Sequence, residues 1–533
     1  MHASYFRFFC VCVLSIPTAF DMEFTGLHSS CPENNEPSLF DSPVERYLKA
    51  RQSVQRFTVT QLGLAIFSNE NSNKYVVHSY NFYLFPATLG VMDVEFTLSA
   101  SSIQFLSHYG FDYNKFLKDG IPYMNEEQEK IFSQHLLAGS WKVSSDLDRD
   151  VLKKAIDEVT CWIAAAEEDD TMVLHDLSGY QMFEVQLVLR QALQNVWTQP
   201  LGDKKVMVKK VSFQHRQLLE NSPHDCCQKE LILLSARGFT NLFQTLVKAK
   251  KPLVGHNMLM DLMHLHDKFY KPLPESYEEF KRNIHILFPV LIDTKTITKS
   301  IWKKYPFPRV SNLLEVYEVL CSRNLNPTDP ASPVITLASD CSRYAQGLLH
   351  FEMFPGSHAI NNVYNTIWFR SSCELLYSNA TSLFLLVLLK SAHLLLCRST
   401  DDAVEADPSF SQYLTVLAEY LNKVNFIRGS VSSIVRMNCR SNFSGEDASC
   451  QHLPLLVVHV QGWPGLNERQ IYQEFNAFCC FDVRRLSKNQ FLLLSNKFKD
   501  IRHVLRDYKD HPHLRVSVYR HWKHSPSVNC LLQ

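Results

Sequence analysis

No Cys-x-x-Cys pair occurs anywhere in the chain, although it contains 15 cysteines. Zinc ribbons and thioredoxin-like sites, both built on that spacing, are therefore not signalled. The cysteines are odd in number, scattered and twice adjacent (Cys226–Cys227 and Cys479–Cys480), which fits a reducing cytoplasmic or nuclear compartment better than a disulfide framework. In that compartment the sequons at Asn379 and Asn442 carry no weight. Charge of one sign is lacking as well: 54 Lys and Arg balance 54 Asp and Glu. Any nucleic-acid surface must then be local. Long apolar runs are also missing. The stretch "LFLLVLLKSAHLLLC" is broken by Lys390 and His393; it is short for a membrane span and reads as a buried core helix. The opening "MHASYFRFFCVCVLSIPTAF" has the look of a secretory signal. Cleavage near Ala19 would, however, remove the strand that should position Asp21, and Pro17 suits a central strand poorly. Residues 1–20 are set apart as an atypical segment, and a secreted or membrane protein rests on them alone.

What is present is an ordinary globular composition, 46% hydrophobic and 20% charged over 533 residues, long enough for roughly two to four domains. After an opening strand ("AFDMEFTGLHS", 19–29) comes a helix through "PVERYLKARQSVQRF". The strands "TVTQLGLAIFS" and "KYVVHSYNFYLFP" follow, joined by the turn-rich "NENSNK". Strands followed by helices predict an α/β domain with a mixed sheet. Residues 144–210 read as an inserted module of two helices closed by a basic hinge, "GDKKVMVKKV". The α/β pattern resumes through "RGFTNLFQTLVKAKKPLVGHNMLMDLMHLHDKFY" and a strand ending at Asp293. From about 450 to 524 the order β-α-β-β-α-β predicts a split βαβ module of the RNA-recognition type. Residues 482–524 hold eleven Lys or Arg against four Asp. That module lacks the aromatic row that stacks bases, although Trp463, Tyr519 and Trp522 could stack one or simply pack.

Asp21 and Glu23 stand two apart in an apolar strand, so both carboxylates point to one face. They are either solvent-facing acids of an edge strand or one wall of a cation site, since buried like charges need compensation. Asp261 lies in the first turns of a helix entered through His256 and Asn257. Alone it could simply complement the helix dipole. Phosphoryl transfer by two metal ions needs several such carboxylates and a general base that orients water.

The blocks "DMEFTGL", "SYNFYLFP", "GFDYNKFLKDGIPYMNEEQE", "ARGFTNLFQTLVKAKKPLVGHNMLMDLMHLHDKFYKPLP" and "LIDTK" occur in that order. They resemble the poly(A)-specific ribonuclease family, RNase D-like exonucleases of the DEDD type, and most closely its branch that trims small-RNA 3′ ends such as piRNA precursors. The match covers roughly residues 21–340 and resumes from about 391. It implies an RNase H-like nuclease domain with a mixed sheet, formed by 21–143 and 211–425. The insert at 144–210 resembles the family's small single-stranded nucleic-acid module, and 450–524 its RRM-like domain. By the resemblance Asp21, Glu23 and Asp261 are catalytic and bind metal, two Mg2+ ions being expected, while His256, Asn257, Lys295 and Trp463 contact RNA. The substrate class implied is single-stranded RNA 3′ ends, either piRNA precursors or poly(A), not DNA, with small-RNA protein complexes and a second copy of the chain as partners. The likeness extends to attachment at organelle membranes through an apolar tail, which these residues do not include.

Two departures qualify this. The insert lacks the R-x-x-x-H signature of its counterpart. The family's third motif, roughly H-E-A-G-Y-D, supplies the general base and fourth acid, yet no histidine between 294 and 400 is followed five residues later by aspartate. His350 is followed at that distance by Pro355 and His358 by Val363. Residues 341–390, like 1–20, read as an alternative or misassigned exon. Two functions follow: a Mg2+-dependent 3′-to-5′ exoribonuclease impaired by the absent motif, or an inactive RNA-binding scaffold that keeps the fold.

Overall fold

The computed structural model describes residues 17–27, 41–304 (except 72–73, 89–93, 139–140, 142–145, 178–180, 203–204 and 221), 316, 320, 334–337, 387–389, 391–392, 395, 410–425, 440–447 and 456–524 (except 463–464, 479–480 and 495–497). Trp463 and nearly all of 341–390 lie outside the described residues.

Strand β1 (Thr18–Phe24) organises the first domain. Phe20, Met22 and Phe24 point into one core, shared with the helices Pro43–Arg56, Phe239–Ala249 and Tyr277–Leu287. Ala19 points into a second core on the opposite face, with Val254, Ile292, Ile297 and Tyr413. A strand with apolar partners on both faces belongs in the middle of a sheet. The sheet does place it there. It pairs antiparallel with β2 (Val59–Asn71), which pairs antiparallel with β3 (Lys74–Pro86). β4 (Ile121–Tyr123) runs parallel to β3. The strand begins at Thr18, inside the segment set apart from sequence. Pro17 sits just before it, and only its carbonyl joins the ladder, accepting from Phe67 N–H.

The insert corrects the sequence reading. Beside the helices Asp146–Ala165 and Gln181–Ala192 it contains three antiparallel strands, β5 (Thr171–Leu174), β6 (Val196–Gly202) and β7 (Lys205–Lys210), in the order β5-β7-β6. The supposed basic hinge is β7. Its Val206 and Val208 are fully buried while Lys205, Met207 and Lys209 lie on the opposite face, a period-two pattern hidden by the lysine-rich composition. The insert is α+β, not helical. It is tied to the nuclease domain by Arg190, whose guanidinium lies over the Trp197 ring at 3.8 Å and donates to buried Asp225 at 2.7 Å.

β8 (Leu253–Gly255) and β9 (Leu291–Asp293) then extend the sheet on the other side of β1, both parallel to it. With β10 (Val334–Leu337) beside β3, the order is β10-β3-β2-β1-β8-β9 and the sheet is mixed. Val387, Leu388, Leu389 and Ala392, from the apolar run, lie in the second core. Among the described residues no helix is long and apolar enough to cross a membrane. A short pair, β11 (Lys423–Asn425) and β12 (Arg440–Asn442), follows.

The C-terminal module has the element order read from sequence. β13 (Leu456–Val460), β14 (Asp482–Ser487), β15 (Gln490–Leu494) and β16 (Leu514–Val518) form an antiparallel sheet ordered β14-β15-β13-β16. The helices Glu468–Phe475 and Phe498–Asp507 bury Ile471, Phe475, Ile501 and Val504 against one face. On the other face the row Arg484, Leu492, Val457, Ser517 contains no aromatic ring. Trp522 is exposed beyond the last strand.

Candidate active site

In a parallel α/β arrangement ligand sites form beyond the carboxyl ends of the strands. β1, β8 and β9 all end at one edge, and each delivers polar groups there. β1 carries Asp21 and Glu23 on the face of Ala19, opposite Phe20 and Met22. β8 stops at Gly255, where an added Cβ would come within 2.8 Å of the Met258 Cβ, so the chain turns tightly. Asn257 completes that turn with φ at +62°, a left-handed conformation that asparagine tolerates. The helix Leu259–Leu265 then brings in Asp261.

The ladder explains how Asp261 reaches β1. Thr18 N–H donates across to Pro252 O, and alternation puts the Met22 N–H on the same side. By then β8 has turned away. Asp261 Oδ1 accepts the Met22 N–H instead, at 3.2 Å. The two acids so joined are poorly hydrated. Burial pushes the Asp21 carboxyl up to about 7, against the Met22 backbone hydrogen bond. Asp261 is raised well above the usual carboxylate range by burial, by the Asp21 charge and, more weakly, by Asp293. Among the described residues neither has an ion pair. Desolvated, mutually repelling carboxylates are a donor set that suits a divalent cation. Among those residues, however, no three His, Cys, Asp or Glu side chains converge as a complete metal-binding group.

The RNA-contact candidates around them are anchored inward. Thr294 Oγ1 donates to Gly255 O and so accepts from His256 Nδ1–H at 2.9 Å. Burial, Lys295 and Lys299 push His256 down to about 3, so the ring is neutral and acts as a strut for the turn. Asn257 Oδ1 accepts from Asn425 Nδ2 at 2.5 Å. Lys295 lies in the first turn of the helix Thr294–Lys304, its pKa lowered by burial and partly restored by Asp293.

Asp293 was expected only as a strand end. Its Oδ1 accepts the N–H groups of Asn257 and Lys295, both at 2.9 Å, and its Oδ2 accepts Asn425 N–H at 2.8 Å. It thereby fixes the turn that carries His256 and Asn257. Asn425 lies too far along the chain for any local motif to have linked the two.

A family model described as CAF1 family ribonuclease matches residues 18–358, beginning on the first residue of β1. The poly(A)-specific ribonuclease PNLDC1 of Mus musculus is 55% identical over 519 residues, 96% of this chain and 91% of that protein. The pre-piRNA 3′-exonuclease trimmer of Bombyx mori is 27% identical over 518 residues, 95% and 90% of the two chains. The poly(A)-specific ribonuclease PARN of Homo sapiens is 31% identical over 344 residues, 58% and 52%.

Proposed function

From the premise that the chain belongs to the CAF1 family of ribonucleases, we propose that it is a divalent-metal-dependent 3′-to-5′ exoribonuclease acting on single-stranded RNA ends. The observation that carries this reading is the Asp21–Asp261 pair, held at the carboxyl edge of the sheet without a compensating cation. Asp21 and Asp261 would hold Mg2+, with Glu23 beside them on the β1 face. The metal would supply charge stabilisation at the scissile phosphate and a more acidic bound water. The protein's own contribution is to fix both carboxylates through the Met22 N–H and exclude competing water. Asp293 keeps the Asn257 turn rigid, and Lys295 adds positive charge at the mouth.

The substrate reading leans on near-complete coverage of two relatives. One is named a poly(A)-specific ribonuclease and the other a pre-piRNA 3′-exonuclease trimmer. Poly(A) shortening and trimming of small-RNA precursors both fit matches of this width. The C-terminal module supports RNA binding through its RRM-like strand order and basic composition. Contact would run through its charged loops and Trp522, because the described strand face offers the His459 imidazole but no Phe, Tyr or Trp ring. Contact by the insert remains part of the same proposal.

The missing H-x-x-x-x-D pattern favours a second reading, an inactive RNA-binding protein on the same fold. One assay separates them. Purified chain is incubated with 5′- and 3′-labelled RNA in Mg2+ or EDTA. Shortening that needs Mg2+ and disappears in Asp21→Ala supports the exonuclease. Binding without shortening after long incubation supports the scaffold. Genomic sequence across 341–390 shows whether a skipped exon encodes the third motif.

A further inference from the structure

The face of the sheet that carries Asp21 and Glu23 also carries two buried amides. Asp21 pairs with Gly63, and Gly63 pairs with Asn81. Glu23 pairs with Gln61 in the next row. Directly opposed residues of antiparallel strands share a face, so Asn81 and Gln61 stand on the same side as the two carboxylates. Asn81 is 3% exposed and Gln61 2%. Among the described residues neither Nδ2 nor Oδ1 of Asn81 has a hydrogen-bond partner, and neither has Oε1 of Gln61. Buried amides are normally satisfied, and one left open at both atoms costs stability without return in the free protein. Between Asp21 and Asn81 the chain has Gly63, which has no side chain. The two outer strands of this row are about 10 Å apart. Buried Gly63 thus separates an acid on one side from a carboxamide on the other and puts no side chain of its own between them.

We propose that Asn81, with Gln61 beside it, is a specificity-determining residue that hydrogen-bonds the ribose of the RNA's 3′-terminal nucleotide. This rests on the reading that a 3′ end enters this face. A phosphate held on the Asp21 side leaves the sugar joined to it over Gly63. A carboxamide presents a donor and an acceptor side by side, and a vicinal 2′,3′-diol presents the complementary pair. The 2′-hydroxyl is the group by which a protein separates RNA from DNA at a given position. A carboxamide also pairs with adenine, so the test has to separate sugar from base.

The experiment measures binding of the full chain, with Ca2+ replacing Mg2+, to short 5′-fluorescein RNAs ending in a ribose or in a 2′,3′-dideoxyribose. Each is made with every terminal base. Asn81→Val removes both polar atoms, is closer to asparagine in volume than leucine, and suits a strand. The expected result is a Kd raised roughly tenfold for ribose ends and unchanged for dideoxy ends, with a melting temperature equal to or above that of the wild type. Equal weakening on both ends, no weakening, or discrimination that follows the base would overturn the proposal. A lower melting temperature would overturn it too, since it would mark Asn81 as structural. A wild-type chain that prefers ribose ends but never shortens RNA keeps this assignment and removes the exonuclease reading. Shortening without sugar preference does the reverse.

Discussion

The main-chain N–H of Met22 donates to the Asp261 carboxylate at 3.2 Å, joining residues 239 apart in sequence. One hydrogen bond therefore both caps an interrupted parallel ladder and sets the spacing of two acids. Substitutions at its two ends should differ. Asp21→Asn removes a charge without disturbing the bond and should reduce Mg2+-dependent shortening by roughly 10²- to 10⁴-fold. Asp261→Ala should match that loss and, at pH 5, where both raised carboxyls are protonated, also destabilise the fold by about 1–3 kcal/mol, because a buried N–H loses its acceptor. Denaturant melts of the two variants check the difference.

The raised carboxyl of Asp21 fixes a pH dependence. A native pKa of about 7 against an ordinary value of 3.8 means that the folded state holds a proton the unfolded state has released. Stability of the metal-free chain then falls as pH rises from about 4 to about 7. Asp21→Asn should lack that fall, so its melting temperature should exceed the wild type's at pH 8 and converge with it near pH 4. Mg2+ competes with the same proton, so it should raise the wild-type melting temperature more at pH 8 than at pH 6. EDTA should abolish the difference.

Asp293 receives three backbone N–H groups and is 1% exposed. Asp293→Ala leaves all three buried and unmet, and should cost at least about 3 kcal/mol. Asn425→Ala keeps the backbone donor to Asp293 and loses the side-chain bonds to Asn257 and to the Lys299 ammonium, for about 2 kcal/mol. Chemical denaturation should rank them in that order, and a reversed order would contradict the network.

Arg190 holds the insert against Asp225 while covering Trp197. Arg190→Met removes the charge beside a carboxylate that keeps only Lys229 at 3.0 Å. A loss of about 3 kcal/mol is expected, with a shift in Trp197 fluorescence. Wild-type-like melting and emission would show that the insert docks by other means.

The legible parts of the fold were those with a short repeat. The alternation of β1 announced a face with two acids, and the C-terminal element order could be read from turns and periodicity. β7 escaped because its lysines masked two buried valines. Asp261 was placed beside Asp21 only through resemblance, since no local pattern joins positions 239 apart. Asp293 escaped for a related reason. Its acceptor role is defined by N–H groups, which every residue but proline possesses and no sequence advertises. Asn81 and Gln61 looked like ordinary strand residues until the register put them in line with Gly63, Asp21 and Glu23.

The bond from Asn425 to Asp293 also has a meaning in time. Ribosomes add roughly 5–20 residues per second. Asp21, Asp261 and Asp293 have therefore all been synthesised for about ten seconds before Asn425, which follows Asp293 by 132 positions, is made. Until then Asp293 lacks one of its three donors and the Asn257 turn lacks its clamp. A nascent or prematurely terminated chain would hold the carboxylates without the brace that orders their surroundings. The fold thus delays completion of the edge that carries these carboxylates until most of the polypeptide exists.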